Sequence, residues 1–195
     1  MIKRKEKIKN TRRVYDGFYK VDLVETSQGS REVIRATNSV SILFYNLSNQ
    51  TVLLIREPRT AMITKQNPQG LTIGNVAGRF DVDLSPRALA VKEAWEEAGI
   101  TIKEEDIIML NDSQPMAVNA GMTDEKCYLA FATIGWDNYE PDEKLFGNTE
   151  EGEKIERVWM SIEKFKKYQP ECLKVFALKQ WLLKTRYCQE NDFVR

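Results

Sequence analysis

The sequence predicts one domain of the α/β (α+β) class, because its apolar patterns mix strands and helices along the chain. Short alternating segments typical of strands occupy the first third, a helix follows near the centre, and further strands precede a terminal helix. This order favours a sheet combined with a few helices over a bundle or a pure β-fold. The 195 residues suit a single domain of ordinary size.

The first half of the chain is predicted to form hairpins followed by a long loop. Residues 15–36 alternate on both sides of the turn at 27–30, which predicts a hairpin. A second hairpin is expected at residues 39–56. Pro and Gly punctuate residues 57–79, which predicts a long loop ending in a short strand.

The central helix has the clearest boundaries. Ser85 can cap it, Pro86 fits its first turn, and Gly99 is a natural stop after residue 98. Apolar residues at three- and four-residue steps are expected to face the core: Ala88, Val91, Trp95 and Ala98. The remaining predicted elements are strands at 107–110, 127–134 and 157–161 and a helix at about 170–186.

The composition excludes several kinds of site. Lys plus Arg and Asp plus Glu number 29 each, a balance that argues against a surface built to bind nucleic acid. The chain has no histidine, which removes Ser-His-Asp and Cys-His catalysis and imidazole-based zinc sites. Its three cysteines have no C-x-x-C spacing, so reduced thiols are expected. Carboxylates, amines, hydroxyls or a hard metal ion remain for catalysis.

The N-terminal residues and the hydropathy of the chain indicate its cellular location. The first thirteen residues hold seven Lys or Arg and one Glu, which predicts a solvated tail or a contact with an anionic ligand. They lack the apolar centre of a signal peptide, and no apolar run approaches the ~20 residues that span a bilayer. We therefore expect a cytoplasmic protein without a membrane partner.

Three carboxylates mark the central helix. Glu93, Glu96 and Glu97 stand at positions i, i+3 and i+4 and so share one face. Such a cluster is either a solvated acidic face or a site for a hard divalent cation. Mg²⁺ prefers oxygen ligands and is commonly held by a few carboxylates together with substrate phosphates.

The spacing around these carboxylates resembles the Nudix box, G-x5-E-x7-R-E-U-x-E-E-x-G-U with U aliphatic. The matching positions are Gly78, Glu93, Ala94, Glu96, Glu97, Gly99 and Ile100. Two positions depart from the box: Leu84 stands where the family has Glu, and Lys92 stands where it has Arg. The three Glu residues that the family uses for metal are kept.

Segments outside the box resemble the ADP-ribose pyrophosphatase and GDP-mannose pyrophosphatase-like branch of the Nudix hydrolases. They are residues 52–59, 75–78, 114–115, 120–125 and 150–155. The resemblance implies a Nudix-type α/β/α sandwich with a mixed sheet, and N-terminal antiparallel strands that swap into a partner chain as a dimerisation arm. It divides the chain into a tail and arm at 1–38 and a Nudix hydrolase domain at 39–195, and it implies a homodimer.

The resemblance also implies roles for individual residues. Mg²⁺, with Mn²⁺ as an alternative, is expected to bind Glu93, Glu96, Glu97 and the carbonyl of Ala77. Besides Glu97, the catalytic candidates are Glu151 and Glu153, one of which would be the base or a late ligand. The substrate-binding candidates are Arg59, Arg79 and Glu125, of which Glu125 is also a weaker candidate for the base.

The implied activity is hydrolysis of the diphosphate bond of a nucleoside diphosphate sugar to a nucleoside monophosphate and a sugar phosphate. ADP-ribose is the first expected substrate and GDP-mannose the second. Leu84 and Lys92 support a different reading, an inactive Nudix fold that binds a nucleotide sugar as a sensor. A nucleic-acid protein using the basic tail is the third reading.

Overall fold

The computed structural model describes residues 7–81, 83–139, 145–147 and 152–185, which form two sheets and three α-helices. The strands are β1 (Ile8–Asp16), β2 (Lys20–Thr26), β3 (Gly29–Arg35), β4 (Ser39–Asn46), β5 (Thr51–Pro58), β6 (Leu71–Gly74), β7 (Val76–Arg79), β8 (Ile108–Met109), β9 (Met116–Ala117), β10 (Lys126–Ile134) and β11 (Glu156–Ser161). The helices are α1 (Pro86–Ala98), α2 (Ile162–Lys167) and α3 (Leu173–Lys184).

The larger sheet is mixed and has the order β11-β5-β4-β10-β8. Strand β10 runs parallel to β4, whereas the other pairings are antiparallel. Alternate residues of β4 and β5 face two separate cores: α1 contributes to one, and α2 and α3 contribute to the other. The predicted α+β sandwich with a mixed sheet is thereby confirmed.

The centre of this sheet opens between β4 and β5. These two strands pair only from Phe44 opposite Leu53 to Asn46 opposite Thr51. Beyond that point β6 pairs with β5 and β7 pairs with β4. Within residues 57–79, β7 is the predicted short strand, whereas β6 lies where a loop was predicted. Strand β7 packs against α1.

The N-terminal strands form a separate antiparallel sheet of the order β1-β2-β3. The expected tail is wrong from Ile8 onward, because β1 occupies residues 8–16 and pairs along its length with β2. Every residue of β1 is exposed, so its apolar content could not reveal it. The buried carboxylate of Asp22 binds Arg13 of β1 and Arg35 of β3, so that it joins the two outer strands of this sheet. The arm predicted from the family is present, while its exchange with a partner chain and the boundary at residue 38 stay predictions.

We predict that acid loosens this sheet through Asp22. Hydrogen bonds from Arg13 and Arg35 lower the pKa of Asp22 below its ordinary value. Its stabilising contribution is therefore complete above the unfolded-state pKa of about 3.9 and is lost as the pH falls through the lower pKa of the folded state. Amide hydrogen exchange of β1, corrected for its intrinsic pH dependence, should be faster relative to that of β10 at pH 3 than at pH 6.

The variant Asp22→Asn supplies the control for that measurement. It should show fast exchange of β1 at both pH values, because Asn lacks the charge that the two Arg residues neutralise. Slow β1 exchange in Asp22→Asn at pH 6 would contradict the assigned role of the carboxylate.

Helix α1 has the predicted ends, but only part of the predicted face is buried: Ala98 is buried and Trp95 is not. The Ser85 hydroxyl accepts a hydrogen bond from the Ala88 N–H at 3.0 Å, and Gly99 adopts a left-handed conformation with φ of 59°. Trp95, expected in the core, is 63% exposed. The buried residues of α1 are Leu89, Ala90, Glu93, Ala94, Glu97 and Ala98. The helix is thus rotated so that two carboxylates face inward.

The C-terminal half follows the prediction closely, with one additional helix. Strands β8, β10 and β11 lie where strands were expected. The terminal helix expected at about 170–186 is α3, and the short α2 before it, which Ser161 caps, was not predicted. None of the helices in the described part of the chain is long and apolar enough to cross a membrane.

Candidate functional site

Two buried carboxylates of α1 lie against the backbone of β7. Glu93 is 9% exposed and Glu97 is 4% exposed. The Ala77 N–H donates a hydrogen bond of 2.8 Å to Oε2 of Glu97. A Cβ atom at Gly78 would overlap the carboxyl group of Glu93, so only glycine lets this side chain lie flat on the strand. The box glycine and the box carboxylates are therefore one packing unit.

Burial raises the pKa of both carboxyl groups. For Glu97 the pKa lies well above its ordinary value, and the Ala77 N–H only partly opposes this shift. For Glu93 burial also raises the pKa, while the charge of Lys92 lowers it. The negative charges of Glu57, Glu93 and Glu153 add to the cost of ionising Glu97. A cation placed here would relieve that repulsion.

Lys92 and Glu96 lie at the exposed side of the same helix turn. The Lys92 ammonium lies 2.7 Å from Oε2 of Glu96 and 3.3 Å from Oε1 of Glu93. Burial disfavours its charge, but the hydrogen bond with Glu96 and the charge of Glu93 raise the pKa of Lys92 above its ordinary value. Glu96, a predicted metal ligand, is thus held by Lys92 and is more exposed than Glu93 and Glu97.

Glu57 is a further buried carboxylate at this site that the sequence reading did not single out. It lies near the end of β5, is 7% exposed, and forms an ion pair with Arg59. Burial raises its pKa, and the charge of Arg59 opposes the shift. The signal was the alternation of β5, in which Leu53 and Ile55 face the α1 core and Glu57 follows at the next inward position.

Of the two main candidates for the base, Glu153 is the one that lies in the described part of the chain. Glu151 lies outside the described residues. Glu153 is half-buried, packs on Gly147, and acts electrostatically on both Glu57 and Glu97. Glu153 therefore lies close enough to Glu57 and Glu97 to act on their charges.

Arg79 and Glu125 belong to a second group, on the other side of β7. Arg79 follows Gly78, so its side chain points away from Glu93. Its cross-strand neighbour Ser39 donates a hydrogen bond of 2.9 Å to Glu125. The aromatic rings of Phe18 and Tyr19, which follow β1, lie on the Arg79 guanidinium. Their centroids are 5.6 Å and 4.9 Å from Cζ of Arg79. Cation–aromatic distances of this size are attractive.

The donor set of the α1 site fits a hard divalent cation. Among the described residues no group of three or more Asp, Glu or Cys side chains is already arranged to hold a metal ion. Glu93 and Glu97 nevertheless supply two carboxylates whose ionisation costs free energy without a cation. One or two carboxylates, completed by waters and substrate phosphates, are the usual protein share of a Mg²⁺ site.

The fold and the box together define the family of this protein. Residues 35–179 match the NUDIX domain, which is most of the chain. The chain therefore belongs to the Nudix family, as the sequence resemblance implied.

Curated relatives place the chain beside one branch of the family. It is 40% identical over 80 residues to the GDP-mannose pyrophosphatase of Enterobacter sp. (strain 638), a match that covers 41% of each chain. It is 38% identical over 88 residues to the GDP-mannose pyrophosphatase of Yersinia enterocolitica, covering 43% of this chain and 46% of that protein. The match to the Citrobacter koseri protein of the same name is 43% identical over 74 residues and covers 38% of each chain. These matches span less than half of each relative's length.

Proposed function

We propose that this protein hydrolyses the diphosphate bond of a nucleoside diphosphate sugar with the help of a divalent metal ion. The products would be a nucleoside monophosphate and a sugar phosphate. GDP-mannose is the first substrate to test, because the curated relatives carry that name. ADP-ribose, the first expectation from the sequence, is the second.

The observation that carries the proposal is the pair of buried carboxylates on α1. Glu97 is 4% exposed and has the Ala77 N–H at 2.8 Å, which cannot balance a full negative charge. Glu57, Glu93 and Glu153 raise the local negative charge further. Buried charges of one sign are costly unless a counter-ion joins them. A folded protein that keeps such a group gains from binding a cation there.

Glu93 and Glu97 would hold the metal ion, with the carbonyl of Ala77 and the side chain of Glu96 as further ligands. Mg²⁺ or Mn²⁺, when bound, polarises phosphoryl oxygens and lowers the pKa of coordinated water. For Glu96 to take part, its contact with Lys92 must open. No homodimer is needed for these ligands, and the homodimer expected from the family remains a prediction.

The remaining residues would bind the substrate and move a proton. Glu153 would accept the proton of the attacking water, since a carboxylate suffices as general base and the chain has no histidine. Glu151 is the alternative base. Arg59 would contact a phosphate, because guanidinium groups bind phosphate oxygens with paired N–H groups. Arg79, with Phe18 and Tyr19 beside it, and Glu125 would contact the nucleoside or the sugar.

The test is phosphate release from a panel of compounds, coupled to a phosphatase that acts on the products. The panel contains GDP-mannose, ADP-ribose, other nucleoside diphosphate sugars, dinucleotides and nucleoside triphosphates, each with Mg²⁺, Mn²⁺ or EDTA. We expect turnover of a nucleoside diphosphate sugar with metal and none with EDTA.

Two outcomes would overturn the proposal. Tight binding of a nucleotide sugar without turnover of any compound would establish the sensor reading. Salt-sensitive binding of DNA or RNA, lost when residues 1–13 are deleted, would favour the nucleic-acid reading.

A further inference from the structure

Glu57 and Arg59 form an ion pair at the edge of the acidic site. The two residues flank Pro58 at the end of β5, and Nη2 of Arg59 lies 2.5 Å from Oε1 of Glu57. The Glu57 side chain is 9% exposed, whereas that of Arg59 is 54% exposed. The pair thus joins a buried carboxylate to a guanidinium that reaches solvent.

The backbone of Arg59 is fixed independently of this pair. Its N–H donates to the carbonyl of Gly70, and its carbonyl accepts from the N–H of Met62, both at 2.8 Å. Gly70 has φ of 63°, and a Cβ there would overlap the Arg59 carbonyl oxygen. The two ends of the segment 59–70 therefore meet at Arg59, so its side chain starts from a defined point.

Glu57 has little reason to be buried for stability alone. Burial disfavours its charge, and the neighbouring charge of Glu153 adds to the cost. Glu97 is repelled by Glu57 in turn. A leucine-sized apolar residue would pack against the α1 core without any of these costs. What the carboxylate supplies, and an apolar residue would not, is an anchor for a guanidinium.

We propose that Glu57 is a positioning residue that holds the Arg59 guanidinium beside the carboxylates of α1, where it receives a phosphate of the substrate. The inference rests on the proposed function and names the phosphate recognition of that same site. A guanidinium carries five N–H groups, so the contact with Glu57 leaves donors for phosphate oxygens. An anchored arginine also loses less conformational freedom when the ligand binds.

The first test measures binding of GDP and ADP by calorimetry with Mg²⁺ present. Glu57→Gln should weaken binding about 3- to 10-fold, the usual effect of immobilising one long side chain on binding. Arg59→Gln should weaken it at least as much. Glu57→Gln combined with Arg59→Gln should bind no more weakly than Arg59→Gln alone, because Glu57 acts through Arg59.

A second measurement separates positioning from metal ligation. Mn²⁺ affinity, measured by electron paramagnetic resonance without nucleotide, should be the same in Glu57→Gln as in the wild type. With a hydrolysed substrate, KM should rise while kcat stays within about 2-fold, since the binding contact and not the chemical step is affected.

The control variant is Glu156→Gln. Glu156 pairs with Arg56 at 3.2 Å on the opposite face of β5, so the same type of ion pair is broken one residue away. This variant should bind GDP and ADP like the wild type.

Three results would overturn the inference. Unchanged or tighter nucleotide binding by Glu57→Gln would mean that its charge only repels the phosphates. Additive effects of the two substitutions would mean that Glu57 does not act through Arg59. A large loss of Mn²⁺ affinity would make Glu57 a metal ligand. A wild type that binds GDP but hydrolyses nothing would instead refute the proposed function and leave the coupling of the two residues measurable.

Discussion

Glu97→Gln should abolish hydrolysis while the protein stays folded. Loss of a residue that only supports a metal ligand lowers activity by up to about 100-fold. Because Glu97 is itself a proposed ligand, we expect the rate to fall by at least that factor. Glutamine keeps the size of the side chain and an oxygen for the Ala77 N–H, which lies at 2.8 Å in the wild type. It removes the charge that would bind the metal. Steady-state kinetics with Mg²⁺ and circular dichroism measure the two properties.

The same substitution should stabilise the metal-free protein. Burial raises the pKa of Glu97 well above its ordinary value. The folded state therefore binds the proton more tightly than the unfolded state does. The free energy of unfolding of the wild type should fall as the pH rises from about 4.3, the ordinary pKa of Glu, through the higher pKa of the folded state. Because glutamine does not titrate, Glu97→Gln should melt at a higher temperature at pH 8 and at the same temperature at pH 4.

Two controls accompany this test: melting with saturating Mg²⁺ and a variant at an exposed position. Saturating Mg²⁺ should raise the melting temperature of the wild type and leave that of Glu97→Gln nearly unchanged, since only the former binds the ion. Glu163→Gln, which changes an exposed Glu on α2, should behave as the wild type in every assay. Wild-type activity in Glu97→Gln would remove Glu97 from the site.

Gly78→Ala should have the second largest effect on activity. A Cβ at this position would overlap the Glu93 carboxyl group and its Cγ. These atoms are the end of a flexible side chain, so the fold can yield, but Glu93 must then leave its place on β7. We expect Mn²⁺ affinity and turnover to fall by at least about 10-fold. The melting temperature should drop by roughly 2 to 8 °C, as for about 1 to 2 kcal/mol of overpacking.

Gly74→Ala is the matched control. Gly74 ends β6, four residues before Gly78, and no atom lies within 4 Å of the Cβ it would gain. Its backbone is not in the left-handed region. Alanine should leave activity unchanged and alter the free energy of unfolding by less than about 1 kcal/mol. Equal Mn²⁺ affinity in the two alanine variants would contradict the packing of Glu93 on Gly78.

The central helix shows which parts of the fold can be predicted from the sequence. Its ends were predicted because Ser85, Pro86 and Gly99 act on the adjacent backbone, and such local effects need no tertiary contact. Its predicted buried face is only partly correct, because hydrophobicity alone favours burial of Trp95 and exposure of Glu93 and Glu97. Trp95 is 63% exposed, while Glu93 and Glu97 face inward. A functional site breaks the rule that the apolar stripe is the buried one.

Strands without a buried apolar face are the second feature that the sequence pattern does not predict. All nine residues of β1 are exposed, so it exists through pairing with β2 and through the ion pair of Arg13 with Asp22. Strand β6 has four residues and lies among Pro and Gly residues that favour loops. It pairs with β5 across the segment 59–70, so no local pattern shows the contact.

The sequence by itself determined the family, the mixed α+β class, and the carboxylates of α1, because their spacing is a local property of one loop and one helix. Only the tertiary structure decided which carboxylates are buried, that Glu96 is held by Lys92, and that Glu57 lies near them on another strand. Those facts depend on how β5, β7 and α1 pack. Burial and electrostatic repulsion exist only once these elements are assembled.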